Sequence, residues 1–421
     1  MKSRRRTWSI AATGVAVVCC VALSVLGGCA GNAIDARGSV YSADGVVLAQ
    51  SNQVTNGKGV RSYPMGKSAS ALLGSCYTDG APEGIEQRYE KDLLEGSDVV
   101  LTVDSRVQDA AVKALGDHAG AVVVEDPSSG AILAMASTPS YDPGKADASK
   151  DELANHATEL HIPGSTFKTI TLAAAIESQA VKPGDVFPAP ASLTFEEGQV
   201  SNYGGAGYSD QTVERAFAQS INTVFAQIAL KVGTGQIYDM ASRFGFGSQL
   251  MDDFPLKESA VRQSEQMTSF VQAWLGVGQS LYQPDGSMLG PVMTVVQGAA
   301  VASVVANDGV LMRPYVVESI GGLEAEHAKG VRVVENATAG YLSDCMKQVV
   351  TSGTGKSAAV AGADVRGKTG TAETISGLDD GWFIGFVNRG ERTYAVSVFV
   401  EGAQSAEASS VASEVMASLV S

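Results

Sequence analysis

A hydroxyl and an amine stand three positions apart at Ser165-Thr166-Phe167-Lys168. A serine hydroxyl is a weak nucleophile until a base takes its proton, and lysine can be that base once burial lowers its pKa. On a helix, residues three apart share a face, so this spacing brings the amine to the hydroxyl. Pro163-Gly164 punctuates the chain just before, and a helix-forming run over residues 166–178 follows. Ser165 is therefore expected at a helix N-terminus, where unpaired backbone N–H groups favour developing negative charge. Histidine offers no better base. His118, His156, His161 and His327 show no HExxH spacing, and His156 and His161 read as ordinary surface or core residues.

Of fifteen lysines, Lys168 alone has a serine three residues earlier. By itself the pair equally fits an N-cap serine beside a solvated lysine. Two further pieces change the balance. Ser220-Ile221-Asn222 is the only S-x-N in the chain and falls between two helix-like runs, 212–218 and 223–230. Lys368-Thr369-Gly370-Thr371 contains the only K-T-G and opens a strand-like segment. Its Gly370 would let another backbone approach, as an extended peptide pairing with that strand requires. Serine with lysine, then S-x-N, then K-T-G is the chain order of a serine acyl-transfer set.

These residues need a frame. Residues 99–103 are strand-like, 105–115 have helical spacing, and 120–125 and 131–135 flank the turn Asp126-Pro127-Ser128-Ser129-Gly130. Near the C-terminus, 382–387 and 394–400 read as strands and 409–419 as a closing helix, while 165–350 read as mostly helical. Strands at both ends with helices between predict one α/β domain whose sheet is closed by its C-terminal strands. Residues 29–97, rich in Gly, Ser, Asn and Asp, read as a short membrane-proximal linker domain, and 98–421 as the chemical domain.

The 421 residues carry a net charge of −15, and all four basic groups before residue 29 lie in the first seven positions. So acidic a body excludes wrapping nucleic acid. Residues 8–28 hold no charged side chain, about enough to cross a ~30 Å hydrocarbon core. Positive charge before them places the rest of the chain outside the cytoplasm. Residues 1–28 are read as a signal peptide or membrane anchor. Leu26-Gly27-Gly28-Cys29 resembles a bacterial lipobox, which would make Cys29 a lipidation site. Cys76 and Cys345 remain in the body, and with no CxxC or metal-spaced cluster no metal site is expected.

The three motifs, with surrounding residues, resemble class B penicillin-binding proteins, the monofunctional peptidoglycan D,D-transpeptidases. The likeness covers roughly residues 95–421. It includes Pro139-Ser140-Tyr141-Asp142-Pro143, Gly276-Val277-Gly278-Gln279 and Ala306-Asn307-Asp308-Gly309, and, nearer the N-terminus, Arg37-Gly38-Ser39-Val40-Tyr41. Asn202-Tyr203-Gly204-Gly205 is similar to the shorter actinobacterial members of the penicillin-binding protein A type. The resemblance implies the penicillin-binding and serine β-lactamase-like fold, an antiparallel sheet flanked by helices with a helical subdomain. It departs in the N-terminal region, where about 70 residues stand in place of a longer pedestal.

The same resemblance implies roles. Ser165 would attack the penultimate D-Ala carbonyl of a stem peptide, with Lys168 as base. Backbone N–H groups of Ser165 and Thr371 would form the oxyanion hole. Ser220 would relay a proton to the departing D-Ala and Asn222 would hold the substrate amide. Lys368, Thr369 and Thr371 would receive the substrate carboxylate, with Gly370 keeping the strand approachable. β-Lactams would acylate Ser165, no cofactor would be needed, and a membrane glycan polymerase is a possible partner. A class D-like β-lactamase would carry S-x-V where Ser220-Ile221-Asn222 stands, and a class A enzyme an E-x-x-L-N element. A D,D-carboxypeptidase would place its nucleophile nearer the mature N-terminus. A β-lactam sensor would need a cytoplasmic signalling segment.

Overall fold

A computed structural model describes residues 37–52, 60–77, 80–81, 83–263, 267–283, 288–374 and 377–421. The uncharged stretch 8–28 and Cys29 lie outside the described residues. Among those described, no helix is long and apolar enough to cross a membrane.

Near the start, Val40–Tyr41 (β1), Val47–Asn52 (β2) and Val60–Ser62 (β3) pair antiparallel, and β1 also pairs in parallel with Val99–Leu101 (β4). Val317–Ile320 and Leu323–Glu324 extend this sheet beyond β4, so the residues before 98 share a sheet with strands from late in the chain. Beneath it the fully buried Glu86 carboxylate accepts hydrogen bonds from Arg37 Nε at 2.8 Å and Arg61 Nε at 2.7 Å.

The second sheet carries the chemistry. Gly120–Glu125 (β5), Ile132–Thr138 (β6), Asp364–Glu373 (β7), Asp379–Arg389 (β8) and Arg392–Val400 (β9) lie in the order β7-β8-β9-β5-β6, antiparallel throughout. Along β5, Val122 and Val124 enter one apolar layer while Ala121 and Val123 enter the other. That is the period-two pattern of a strand covered on both faces, and it explains an almost continuous valine run. As expected, the two ends of the chain meet here, with β9 against β5.

The helices are Ser105–Leu115 (α1), Lys168–Glu177 (α2), Asn222–Val232 (α3), Val295–Ala306 (α4), Asn336–Ser352 (α5) and Ser405–Val420 (α6), besides shorter ones. Asp104 caps α1 by accepting from the Arg106 and Val107 N–H groups. α1 and α6 cover one face of the sheet through Ala111, Leu115, Val411, Val415 and Met416. On the other face α4 is buried from Val295 to Val305. A helix apolar on every side belongs at the centre of a core.

The α/β architecture agrees with the sequence reading, but residues 165–350 are less helical than expected. Short strands such as Gln199–Ser201 and Met288–Val292 lie among the helices. Strands of three to five residues carry too few alternations to stand out in a sequence. The closing helix starts at Ser405, earlier than expected, because Gln404 is extended and the chain turns there. Cys76 and Cys345 are buried and not disulfide-bonded.

Candidate active site

Pro163-Gly164 turns the chain into a 3-10 segment, Gly164–Phe167, that runs into α2. The α-helix begins at Lys168 and not at residue 166, so Ser165 sits on the tighter turn. In a 3-10 turn residues i and i+3 eclipse, which sets Lys168 Nζ 3.0 Å from Ser165 Oγ. Gly164 has φ +53°, and a Cβ there would stand 2.5 Å from the Thr371 carbonyl oxygen. Thus the turn bearing the serine presses on β7 with only glycine between.

Lys168 is completely buried. Its Nζ donates to the Ser220 carbonyl at 2.8 Å and to Asn222 Oδ1 at 2.6 Å, and it lies 3.3 Å from Ser220 Oγ. Burial, reinforced by the charge of Lys368, pushes its ammonium well below the ordinary lysine range. A neutral amine has two N–H donors and one lone pair. The carbonyl and the Asn222 oxygen can only accept, so they take the two donors and leave the lone pair for the Ser165 hydroxyl.

Ser220 stands in the gap between Val213–Ala218 and α3 that the sequence indicated, and Asn222 is the first residue of α3. Ser220 has φ +57°, a left-handed conformation uncommon for a residue with a side chain. The turn points both its carbonyl and its hydroxyl at the buried amines. Asn222 Nδ2 donates to the Ser201 carbonyl at 2.8 Å, fixing the amide so that Oδ1 faces Lys168.

Lys368, Thr369, Gly370 and Thr371 lie on β7, the edge strand of the sheet. Lys368 is also completely buried, and burial lowers its pKa to about 7. Its Nζ donates to Ser220 Oγ at 3.0 Å and to the Thr369 carbonyl at 2.8 Å. A Cβ on Gly370 would stand 2.8 Å from the Pro163 carbonyl oxygen and 3.0 Å from Trp382 Cβ. Ser165, Ser220, Asn222, Thr369, Gly370 and Thr371 all line one cleft of about 620 Å³. The structure thus brings every motif residue together, with the two lysines buried in its wall.

Several cleft residues escaped the sequence reading. Thr354 Oγ1 lies 2.5 Å from Thr369 Oγ1, and its N–H donates to the Ala218 carbonyl, tying β7 to the segment before Ser220. Its only signal was a threonine between two glycines, Gly353 and Gly355. Gln279, Tyr203, Tyr208, Glu373 and Asp379 also line the cleft. Gln279 and Tyr203 belong to stretches singled out for their resemblance, but neither had an assigned role. The histidines take no part: His161 stacks on Phe399 with ring centroids 3.8 Å apart, and burial lowers its pKa to about 4.

Taking a proton from Ser165 requires no histidine here, because a buried amine already offers its lone pair. Fold and site define a class: a lysine-activated serine enzyme that works through an acyl ester. The chain belongs to the penicillin-binding protein transpeptidase family, since residues 120–421 match the penicillin binding protein transpeptidase domain. Peptidoglycan D,D-transpeptidase PbpA of Mycolicibacterium smegmatis is 33% identical over 388 residues, covering 80% of this chain and 76% of that protein. Among solved structures, the D,D-transpeptidase domain of a peptidoglycan glycosyltransferase from Eggerthella lenta matches with a TM-score of 0.85 at 35% identity, over 91% of this chain and 97% of that one. Penicillin-binding protein A from M. tuberculosis, solved as an imipenem acyl-enzyme complex, matches with a TM-score of 0.80 at 26% identity, over 91% and 99%.

Proposed function

We propose that the protein is a peptidoglycan D,D-transpeptidase that cross-links stem peptides through an acyl ester on Ser165 and is acylated there by β-lactams. The observation that carries this reading is the buried Lys168 amine 3.0 Å from Ser165 Oγ.

Ser165 Oγ attacks the carbonyl of the penultimate D-Ala while its proton passes to Lys168 Nζ. The oxyanion is held by the N–H groups of Ser165 and Thr371; removing one such donor typically costs ~3 kcal/mol of transition-state stabilisation. The proton returns through Ser220 Oγ, which lies within 3.3 Å of both buried amines, to the nitrogen of the departing D-Ala. Asn222 holds the donor amide. Lys368, with the Thr369 and Thr371 hydroxyls, receives the terminal carboxylate. An amine from a neighbouring strand then attacks the ester and restores Ser165. Glu373 and Asp379, paired across β7 and β8, line the same cleft. That polarity suits a donor ending in a carboxylate and an acceptor that is an amine.

The charge pattern of residues 1–28 supports a tethered enzyme facing outward, either through a retained apolar segment or through lipidated Cys29. A membrane glycan polymerase is the partner class this reading implies.

The test is intact mass of the full chain in detergent, followed over hours after mixing with a penicillin, beside Ser165→Ala. A stable adduct of one drug mass, absent from the variant, is expected. An adduct that vanishes within seconds while drug is consumed would make the protein a β-lactamase. No adduct on either protein would remove the catalytic assignment.

A further inference from the structure

The cleft contains one side chain that imitates a neighbouring strand. Gln279 Nε2 donates to the Thr371 carbonyl at 3.0 Å, and Gln279 Oε1 accepts from the Glu373 N–H at 3.3 Å. Only this orientation of the amide satisfies both contacts. Thr371 and Glu373 are two apart on β7, so the carbonyl of one and the N–H of the other point to the same edge. Because β8 pairs with the opposite edge and β7 is the last strand of the sheet, the primary amide of Gln279 takes the place a further strand would occupy.

What holds Gln279 is as informative as what it touches. The residue is 8% exposed, and its own N–H donates to the Trp274 carbonyl. Gly278 before it has φ +90°, and a Cβ there would stand 1.9 Å from the Gly164 carbonyl oxygen. The backbone leading to Gln279 is therefore pressed against the turn that carries Ser165, while its side chain is bonded to the end of β7. One residue joins the two segments whose N–H groups, those of Ser165 and Thr371, serve the oxyanion.

We propose that Gln279 is a positioning residue for acyl transfer, a strut that fixes the Thr371 N–H relative to the Ser165 N–H. The proposal rests on the transpeptidase reading, and specifically on the oxyanion donors it names. An edge strand has no second neighbour to stiffen it, so without the strut the end of β7 moves relative to the nucleophile turn. Misplacement of about 1 Å can cost on the order of 100-fold in rate. Because the same donors serve acylation and deacylation, both steps slow together, whereas docking of the drug before reaction changes little.

The experiment uses the full chain in detergent with nitrocefin as probe, comparing wild type with Gln279→Met, which keeps the length and loses both hydrogen bonds. Stopped-flow acylation separates the dissociation constant from the limiting rate, and infrared spectroscopy of the benzylpenicillin adduct reads the ester carbonyl. The expected result is a limiting rate lower by about 10- to 100-fold, with the dissociation constant within about twofold. The carbonyl band should move to higher wavenumber as its hydrogen bonds weaken. Gln279→Glu, which keeps an acceptor for the Glu373 N–H but sets a second acceptor against the Thr371 carbonyl, should give a loss in the same direction and serves if the methionine variant does not fold. An unchanged limiting rate and carbonyl band, or a loss confined to the dissociation constant, would overturn the proposal. The transpeptidase reading fails differently, through the absence of any Ser165-dependent adduct in wild type.

Discussion

Lys368 Nζ donates to Ser220 Oγ across 3.0 Å, although 148 residues of sequence separate the two. Ser220 Oγ also lies 3.3 Å from Lys168 Nζ, so a single hydroxyl stands between two buried amines. Both amines are fully buried, so bulk solvent does not stabilise the charge of either. Burial lowers both pKa values, that of Lys368 to about 7, and Lys168 is lowered further by the charge of Lys368 beside it. One lysine is thus suited to take a proton and the other to meet an anion.

That division predicts a split pH profile for acylation by penicillin. Toward acid, the limiting rate falls as Lys168 gains a proton and loses the lone pair aimed at Ser165. Toward alkali, Lys368 loses its charge as pH rises through about 7. A bound carboxylate favours the charged form, so the alkaline effect appears as a weaker dissociation constant and not as a lower limiting rate. In Lys368→Met binding is weak at every pH and the alkaline limb is gone. Stopped-flow acylation between pH 5 and 10 measures both limbs, and an alkaline limb in the limiting rate would contradict the assignment.

The same residue links pH to stability. Lys368 titrates near 7 when folded and near the ordinary 10.5 when unfolded. Between those values the unfolded chain holds the extra proton, so stability rises with pH across that window and is flat below it. Each pKa unit is worth about 1.4 kcal/mol. Lys368→Met should therefore unfold at higher denaturant concentration at pH 7 while losing most drug binding. Equal midpoints for both proteins at pH 7 would show that the buried amine carries no such penalty.

Glu125 shows the opposite sign. It is fully buried at the end of β5, and no hydrogen bond of good geometry reaches either carboxyl oxygen from the described residues. Burial raises its pKa to about 8, with the nearby Ser303 hydroxyl offsetting part of the effect. Between its ordinary value of 4.5 and about 8 the folded protein holds the extra proton, so this group makes stability fall as pH rises. Glu125→Gln should flatten that slope, and Glu125→Leu should stabilise the protein at pH 7.5. Chemical denaturation at several pH values decides it; a variant as pH-sensitive as wild type would refute the account.

Gly370→Ala tests the close approach of β7 to the nucleophile turn. The added methyl meets the Pro163 carbonyl oxygen at 2.8 Å and Thr166 Cγ2 at 2.9 Å. Overpacking of this kind typically costs about 1–3 kcal/mol. The fold should survive with a lower melting temperature, while penicillin acylation drops at least about tenfold because strand and serine are pushed apart. Wild-type acylation in this variant would mean that the contact is not needed for chemistry.

Glu86 lies far from Ser165 in sequence and is held by two arginines, Arg37 and Arg61, within the first 61 residues. Removing one partner from a buried ion cluster costs ~3–5 kcal/mol. Glu86→Gln should lower the urea midpoint accordingly, yet leave the rate of acylation per folded molecule unchanged. A variant of wild-type stability would show the cluster to be energetically neutral.

Some of this was legible in the sequence and some was not. Ser165 and Lys168 were readable because i and i+3 meet through local geometry alone. Ser220, Asn222 and the Lys368–Thr371 run were readable as short patterns in a fixed order. Thr354 and Gln279 were not, since each acts through contacts with β7 made from another part of the chain, 15 and 92 residues away. Glu125 read as one end of an ordinary strand, and nothing local announces that its carboxyl is fully buried.

By itself the sequence determined which atoms could react: a serine with an amine one turn away, a second hydroxyl and amide, and a lysine on a strand, in an α/β chain whose ends form one sheet. Those depend on short-range spacing and the period of apolar residues, which are set by the chain near each position. Tertiary structure alone decided that Lys168 and Lys368 are both buried, that Ser220 stands between them, and that Gly164, Gly278 and Gly370 let three backbones converge around the serine. Desolvation and Coulomb interaction depend on what surrounds a charge in space, and here the surroundings come from segments tens to hundreds of residues away.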